Sequence, residues 1–361
     1  MKIAIIIPNI IESTPYLKYY TDVFERNGVD YEYICWDRNH FYPPKYSNSK
    51  MKIYDRYSPE SNTMYKKLID FWFFSRFVIK YLNKKEFDYL TIHTIVCAIF
   101  LERYLKRNYL KKYVFDIRDY SQIYPLVKIK VSKIIKNASL TIISSIGYKS
   151  WLPAKFNYII GHNVRKLDVE NALEKNINKF SFNKGKKEIV VLTIGQIRDF
   201  SSNSKVIASL GNKNNISVVF AGDGLQKNNL ESFSKESDFK NVYFSGWYDK
   251  NEERDIVNNA DFINIVLPSS PNFRTQLGNR FYLSLVYRKP MIVNIESIQA
   301  KFVSEYKLGI VLKPSDQLNE KLQTYITEFN EEEFENGCLK MLEKIRNDIA
   351  DFENKIIGLI S

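Results

Sequence analysis

The chain contains 361 residues, of which 45% are hydrophobic and 26% are charged, with 13 Gly and 11 Pro. This composition excludes collagen-like, low-complexity and intrinsically disordered proteins, and the length predicts about two folded domains. The cysteines Cys35, Cys97 and Cys338 are too few and too widely spaced for a disulfide framework or a metal-binding motif, so we expect a reducing compartment.

The excess positive charge, +12 in total, lies in the first half of the chain. Residues 1–180 contain 30 basic and 17 acidic residues, whereas residues 181–361 contain 23 and 24. A basic half is typical of a protein that faces a polyanion, either nucleic acid or an anionic membrane surface. The alternative is the lysine-rich composition of an AT-rich genome, which does not explain the asymmetry.

In chain order, the first apolar segment is Ile3–Ile7, which is too short for a signal peptide or a membrane span and predicts a buried strand. Two later segments combine apolar side chains with lysines, as helices lying on a membrane surface do. They are residues 66–85, and residues 126–136 with Lys128, Lys130, Lys133 and Lys136. Core packing against a sheet is the alternative for both, and no segment has the roughly 18 consecutive apolar residues of a membrane span.

Short β-branched runs alternate with helical lengths, which is typical of parallel βαβ units. The predicted strands are Ile3–Ile7, Tyr31–Cys35, Lys52–Tyr54, Tyr89–His93, Tyr113–Ile117, Leu140–Ser144 and Tyr158–Ile160, then Ile189–Ile194, Ser217–Ala221, Val242–Phe244, Phe262–Val266, Met291–Asn294 and Gly309–Leu312. They predict an α/β fold of two Rossmann-like, doubly wound parallel-sheet domains facing across a cleft. The expected boundaries are 1–170 and 188–335 for the domains, 171–187 for a linker, and 336–361 for a C-terminal helix packing back toward the first domain.

Ligands of parallel sheets bind beyond the carboxyl ends of the strands, so the residues that follow each strand are candidate site residues. Gly195, Gly222 and Gly224 follow the first two strands of the second half, and Gly278 and Asn279 precede a helix. Glycine permits close backbone approach and the free amides of a helix start bind phosphate, which together indicate a nucleotide site. An ordinary turn is the alternative for residues 222–224.

These landmarks, in this order, resemble the C-terminal domain of group 1 glycosyltransferases with the GT-B fold. The matching segments are Ile-Gly-x-Ile-Arg at 194–198, Ala-Gly-Asp-Gly at 221–224, Asn-Val-x-Phe-Ser-Gly-Trp at 241–247, Asn-Arg-Phe-Tyr at 279–282 and Arg-Lys-Pro at 288–290. The resemblance implies a nucleotide-diphosphate-sugar donor, UDP- or GDP-linked, bound by the second domain.

The resemblance also implies roles for individual residues. It places Arg198 at the diphosphate, Trp247 and Tyr248 beside the base, and the amides of Gly278 and Asn279 at the distal phosphate. The predicted donor-binding residues are Gly195, Gln196, Arg198, Trp247, Tyr248, Gly278, Asn279 and Arg280. An arginine at the diphosphate would stabilise the departing nucleotide, so neither a metal ion nor a cofactor is expected.

The second half of the sequence departs from the family at two positions. Retaining members carry two glutamates, where this chain has Thr275 and Leu283. The ribose contact and the retaining stereochemistry are therefore not carried over, and both a retaining and an inverting outcome stay open.

The first half resembles the acceptor domain of capsule and O-antigen glycosyltransferases of this group, through Phe-Asp-Ile-Arg-Asp-Tyr-Ser at 115–121 followed by Ser-Ser at 144–145 and His-Asn at 162–163. An inverting transfer needs a carboxylate or imidazole that deprotonates the acceptor hydroxyl. The predicted catalytic residues are Asp119, His93 and Asp116, with Asp119 or His93 as the base. The alternatives are a structural histidine at 93 and a turn-capping carboxylate at 116, which we expect on the opposite strand face from Arg118.

The function predicted from these features is glycosyl transfer from a nucleotide sugar to a lipid-diphosphate-linked oligosaccharide in bacterial surface polysaccharide synthesis. The basic first half would then face an anionic membrane, which predicts a peripheral protein on the cytoplasmic face of the cell membrane. Two alternatives stay open: a nucleotide-sugar epimerase of the same fold, and a non-catalytic partner subunit. No nucleic-acid-binding signature accompanies the basic charge, so nucleic acid is not expected as a partner.

Overall fold

The computed structural model describes residues 1–43, 46, 48–59, 61–174, 180, 182 and 188–361. Two compact units divide the chain. The first comprises Met1–Lys166 with Asn347–Ser361, and the second comprises Leu167–Arg346. Of the predicted linker at 171–187, residues 171–174 belong to a helix and residue 180 and residue 182 have buried or half-buried aromatic rings. The other linker residues lie outside the described part of the chain.

A seven-stranded parallel sheet forms the first unit. Its strands are β1 (Lys2–Ile7), β2 (Asp30–Asp37), β3 (Met51–Asp55), β4 (Tyr89–His93), β5 (Tyr113–Ile117), β6 (Leu140–Ile143) and β7 (Ile159–Ile160), in the order β3-β2-β1-β4-β5-β6-β7. Central strands such as β1 are apolar on both faces because helices cover both faces of a doubly wound sheet. The seven strands predicted for this half are confirmed to within two residues at their ends.

Two of the helices of this unit begin after a threonine N-cap. The helices are α1 (Lys18–Arg26), α2 (Met64–Leu82), α3 (Ile95–Asn108) and α4 (Tyr124–Asn137), and α5 (Lys166–Glu174) starts at the boundary between the two units. The side chains of Thr63 and Thr94 accept amide hydrogen bonds at the starts of α2 and α3, as N-caps do. Helices α2, α3 and α4 are neighbours and share one apolar cluster with the sheet, which includes Trp36 and Phe115.

A six-stranded parallel sheet forms the second unit. Its strands are β8 (Ile189–Ile194), β9 (Ile216–Ala221), β10 (Val242–Gly246), β11 (Phe262–Asn264), β12 (Met291–Asn294) and β13 (Gly309–Leu312), in the order β10-β9-β8-β11-β12-β13. The helices are α6 (Phe200–Leu210), α7 (Lys227–Glu236), α8 (Glu253–Asn258), α9 (Pro271–Thr275), α10 (Asn279–Val286), α11 (Ile298–Glu305) and α12 (Leu318–Glu328). The predicted α/β fold with two parallel sheets is confirmed.

The last helix, α13 (Glu331–Ile360), is longer than the helix predicted at 336–361 and contributes to both units. In the second unit, Gly337 lets α13 approach the chain closely, because a Cβ there would lie 1.8 Å from the carbonyl oxygen of Tyr306. In the first unit, the ring of Phe352 packs edge-on against Tyr20 with centroids 5.0 Å apart. None of the described helices is long and apolar enough to cross a bilayer.

Candidate active site

A buried charged cluster lies at the carboxyl ends of β4 and β5 in the first unit. One oxygen of Asp116, Oδ2, accepts hydrogen bonds from Arg118 Nη2 at 2.6 Å and from Tyr20 Oη at 2.7 Å. His93 Nδ1 lies 3.4 Å from the same oxygen, and both His93 and Asp116 are 0% exposed. The structure thus brings together two of the three predicted catalytic residues, but it closes both off from solvent.

The surroundings of the cluster set its charge states. Burial by itself raises the pKa of Asp116, but the Arg118 charge, the adjacent His93 imidazole and the hydrogen bond from Arg118 outweigh it and hold the pKa at about 2. Burial lowers the pKa of His93 despite the neighbouring carboxylate, so its imidazole is neutral near pH 7. The cluster therefore contains one anion, Asp116, and one cation, Arg118.

Two expectations about Asp116 are wrong. We expected Asp116 and Arg118 on opposite faces of the strand, yet they are paired, because residues two apart in a strand share a face. The turn-capping alternative also fails. The carboxylate binds the side chains of Arg118 and Tyr20, so it ties β5 to α1.

Two tyrosines complete the cluster, Tyr16 in the connection between β1 and α1 and Tyr20 in α1, and sequence reasoning missed both. The Arg118 guanidinium lies over the Tyr16 ring, 3.7 Å from its centroid, which is a cation–π contact. Tyr16 is half-buried, and its ring centroid lies 5.6 Å from that of His93. Tyr16 is therefore the partly exposed member of a group whose charged members are buried.

Asp119, the remaining predicted catalytic residue, follows the end of β5 and is exposed. A ligand that approaches this edge of the sheet can contact the carboxylate of Asp119. In the present structure it cannot contact the imidazole of His93 or the carboxylate of Asp116.

In the second unit, the loops that follow β8, β9 and β10 are joined by backbone hydrogen bonds. The amide of Gly195 donates to Ala221 O at 2.8 Å, and the amide of Gly222 donates to Gly246 O at 2.8 Å. Gly222 has φ +133°, and a Cβ there would lie 2.0 Å from Gly195 O. The close backbone approach that Gly222 permits is thus between neighbouring loops, as in the turn alternative for residues 222–224.

Arg280, on the first turn of α10, connects several of the predicted donor-binding residues. Its Nε donates to Ile194 O at 2.6 Å, its Nη2 to Gln196 O at 3.1 Å and its Nη1 to Asn264 O at 3.4 Å. These carbonyls lie at or just beyond the ends of β8 and β11. The helix start at residues 278–280 is consequently held beside the loop at residues 195–196.

Space remains open where the helix start at residues 278–280 meets the loop at residues 195–196, a place called the Arg280 junction below. A Cβ on Gly195 or on Gly278 would meet no atom within 4 Å, and Gly195 adopts φ +90°. Gly278 is the N-cap of α10 and makes no side-chain cap, and the start of a helix is a place where anions bind favourably. Gly195 and Gly278 are the glycines of the predicted site where the backbone is accessible.

The other predicted donor-binding residues surround the Arg280 junction less closely. Tyr248 is half-buried, and burial with Glu253 nearby raises the pKa of Tyr248 to about 12. Trp247 is 76% exposed. Gln196, Arg198 and Asn279 are exposed as well, which leaves their side chains accessible to a ligand.

No family model and no curated protein matches the sequence. Among solved structures, sucrose-phosphate synthase from Thermosynechococcus elongatus matches with a TM-score of 0.70 at 12% identity, over 99% of this chain and 97% of that chain. HepE of Anabaena in complex with UDP matches with a TM-score of 0.66 at 12% identity, over 100% and 99%. The lipopolysaccharide outer core galactosyltransferase WaaB, in its apo form, matches with a TM-score of 0.61 at 14% identity, over 100% and 99%. The chain shares the GT-B fold with these proteins, as the sequence predicted.

Proposed function

We propose that this protein is a glycosyltransferase that takes its sugar from a nucleotide-diphosphate sugar bound at the carboxyl edge of the second sheet. The observation that carries the proposal is the Arg280 junction, which places accessible backbone at Gly195 and at Gly278 beside a helix start. Such a site suits the phosphates of a UDP- or GDP-linked sugar. The structures of HepE with UDP, and with UDP and glucose, support the same class of donor.

The chemistry proposed for this site relies on stabilising the leaving group. Negative charge develops on the nucleoside diphosphate as the glycosidic bond to the sugar breaks. The exposed Arg198 and the first amides of α10 would stabilise that charge, and Trp247 and Tyr248 would hold the base. We propose a metal-independent reaction, because these groups supply positive charge and hydrogen-bond donors at the leaving oxygen.

For the acceptor we propose the first unit, with Asp119 as the residue that meets the attacking hydroxyl. In an inverting reaction the Asp119 carboxylate would take the hydroxyl proton, whereas in a retaining reaction it would orient the acceptor. His93 and Asp116 would act through the position of the loop that carries Asp119, since neither has exposed surface. Position 275, where retaining members carry a glutamate, is a threonine without a carboxylate, and its hydroxyl donates to Pro271 O at 2.7 Å.

The finer part of the proposal is a lipid-diphosphate-linked glycan acceptor at an anionic membrane surface. On α4, Leu126 is 88% exposed and Ile129 is 76% exposed, and the exposed Lys128, Lys133 and Lys136 lie among them. Apolar side chains left uncovered beside lysines are characteristic of an interfacial helix. This surface supports a peripheral protein on the cytoplasmic membrane face that acts in surface polysaccharide synthesis.

The two roles that the sequence left open for α2, core packing and contact with a membrane surface, suit opposite sides of the helix. Its stripe with Phe74 and Val78 packs in the core, where both are 0% exposed. On the outer side, Tyr65 is 76% exposed, Trp72 is 47% exposed, and Arg76 lies over the Trp72 ring with 5.9 Å to its centroid. Aromatic and basic side chains of this kind suit the headgroup region, and α2 belongs to the same helical layer as α4.

A panel of UDP- and GDP-sugars tests the donor proposal, with affinity measured by calorimetry and released nucleoside diphosphate measured in parallel. We expect at least one donor to bind and Arg198→Ala to weaken it by roughly tenfold or more, as loss of a charged hydrogen bond does. Arg254→Ala, which removes an exposed arginine of α8, is the matched control and should leave the affinity unchanged.

The remaining outcomes separate the alternatives. Interconversion of nucleotide sugars without transfer would favour an epimerase, and binding without release of nucleoside diphosphate under any acceptor condition would favour a non-catalytic partner. Absence of binding to every nucleotide in the panel would overturn the proposed donor site.

A further inference from the structure

Arg280 differs from the buried arginines of this protein in having no carboxylate partner. Arg118 pairs with Asp116 at 2.6 Å, and Arg288 pairs with Glu335 at 2.9 Å. The described residues form no ion pair with Arg280, whose hydrogen-bond acceptors are neutral backbone carbonyls. Burial lowers the pKa of Arg280 to about 10, as expected of a desolvated cation without a nearby anion. The guanidinium nevertheless keeps its charge at neutral pH, so a counter-charge is missing.

The geometry of Arg280 requires the fork of a guanidinium. Three nitrogens, Nε, Nη1 and Nη2, each donate to a carbonyl from a different residue, namely Ile194, Asn264 and Gln196. A lysine ammonium on its flexible stem lacks the planar, preorganised fork that meets all three at once. The contacts fix the start of α10 against the ends of the neighbouring strands β8 and β11.

The two segments that Arg280 holds together, the loop at Gly195 and the start of α10, are those where the backbone is accessible. Gly195 lies between the carbonyls of Ile194 and Gln196 that Arg280 holds, and Gly278 lies two residues before Arg280 in the chain. Displacement of the guanidinium would therefore uncouple the loop at Gly195 from the helix start at Gly278. A ligand that contacts both would lose one of its two partners.

We propose that Arg280 is a positioning residue for a diphosphate: its fork holds the Gly195 loop against the first turn of α10, and the bound diphosphate supplies the anion that the guanidinium lacks. This inference rests on the proposed donor site and assigns to Arg280 a role distinct from direct contact with the distal phosphate. The planar shape of the Arg280 guanidinium contributes to this positioning as well as its charge. A substitution that keeps the charge and loses the planar fork should therefore still impair diphosphate binding.

Arg280→Lys tests this with UDP and uridine as probes in calorimetric titrations. We expect the variant to bind UDP at least about tenfold more weakly than the unmodified protein, and to bind uridine with unchanged affinity. The matched control is Arg288→Lys at the other end of α10. Arg288 also donates to two backbone carbonyls, Leu285 O at 2.7 Å and Ala172 O at 2.8 Å, but it lies away from the sheet edge. This control should be less stable to heat without losing UDP affinity.

The outcomes distinguish the inference from the proposed function. Unchanged UDP affinity in Arg280→Lys, or equal losses for UDP and uridine, overturns the positioning role and leaves the donor site standing. An unmodified protein that binds neither UDP nor GDP overturns the donor site itself.

Hydrogen exchange on the unmodified protein provides a second measurement that needs no variant. UDP should protect the amides of residues 194–198 and 278–282 together, and protection of one segment alone contradicts the inference.

Discussion

Arg118 and Asp116 form an ion pair with 2.6 Å between Nη2 and Oδ2, and their side chains are 6% and 0% exposed. The guanidinium also donates to Gly161 O at 2.8 Å, so a single arginine connects β5 with the residue that follows β7. Asp116 in turn binds Tyr20 of α1. The pair therefore holds together segments that are distant in the sequence, at the edge of the sheet where we place the acceptor.

Removal of the Asp116 charge should destabilise the first unit strongly. In Asp116→Asn, the Arg118 guanidinium would stay buried without its anion, which costs about 3–5 kcal/mol of unfolding free energy. Urea denaturation at pH 7 measures this loss. Asp351→Asn is the control, since this exposed carboxylate of the first unit should contribute less than about 0.5 kcal/mol. Equal midpoints for the two variants would contradict the structural role of the pair.

The same pair predicts a pH dependence of stability. The pKa of Asp116 is about 2 in the folded chain, below the value of about 3.9 for an unfolded aspartate. A lowered folded pKa stabilises the protein above the unfolded value, and that contribution disappears as the pH falls from about 4 to about 2. The stability difference between the unmodified protein and Asp116→Asn should therefore shrink by roughly 2–3 kcal/mol between pH 5 and pH 2. A difference that stays constant across this range would refute the assignment.

The strands were predictable because a strand buried on both faces needs a continuous apolar run. Ile3–Ile7 is such a run, and it forms β1 in the middle of the first sheet. The strand order places β1 beside β4, although Ile7 and Tyr89 are 82 positions apart in the sequence, and this order follows from the general rules of doubly wound sheets. Local pattern and topology rules together thus predicted the fold.

The site was only partly predictable, because its key contacts join residues far apart in the chain. Arg280 donates to Ile194 O, 86 residues earlier, and Tyr20 donates to Asp116, 96 residues later. The family resemblance predicted Arg280 as a donor-binding residue and the strand pattern predicted Asp116 at a strand end, but neither indicates which backbone carbonyl or tyrosine faces each side chain. The pairing of Asp116 with Arg118 could have been predicted but was not, because residues two apart in a strand lie on the same face.

The lysines of α4 should govern attachment to anionic membranes. Each basic residue near an anionic surface contributes about 1 kcal/mol, so replacing Lys128, Lys130, Lys133 and Lys136 by glutamine should weaken binding to phosphatidylserine vesicles by tenfold to roughly a thousandfold. Sedimentation at 50 and 300 mM salt measures the effect, which salt should diminish.

A matched set of lysines tests whether location or total charge matters. Lys213, Lys235, Lys301 and Lys313 are exposed residues of the second unit, and the same four changes there remove the same total charge. If the surface of α4 is the docking site, this second variant should sediment like the unmodified protein. Similar losses in both variants would attribute binding to net charge and argue against α4.

Gly278 offers a test in which stability and binding separate. Its φ of −79° suits any residue and a Cβ there meets no atom within 4 Å, so Gly278→Ala should cost less than about 1 kcal/mol of stability, mainly from the weaker N-cap. If a phosphate lies against the first turn of α10, the added methyl group should displace it and lower UDP affinity by tenfold or more.

Gly222→Ala is the contrasting variant. Its Cβ would lie 2.0 Å from Gly195 O, so it should destabilise the second unit in the absence of any ligand. Calorimetric titration with UDP and thermal unfolding, measured on both variants, check the pattern, and a Gly278→Ala protein that binds UDP normally would place the phosphates elsewhere.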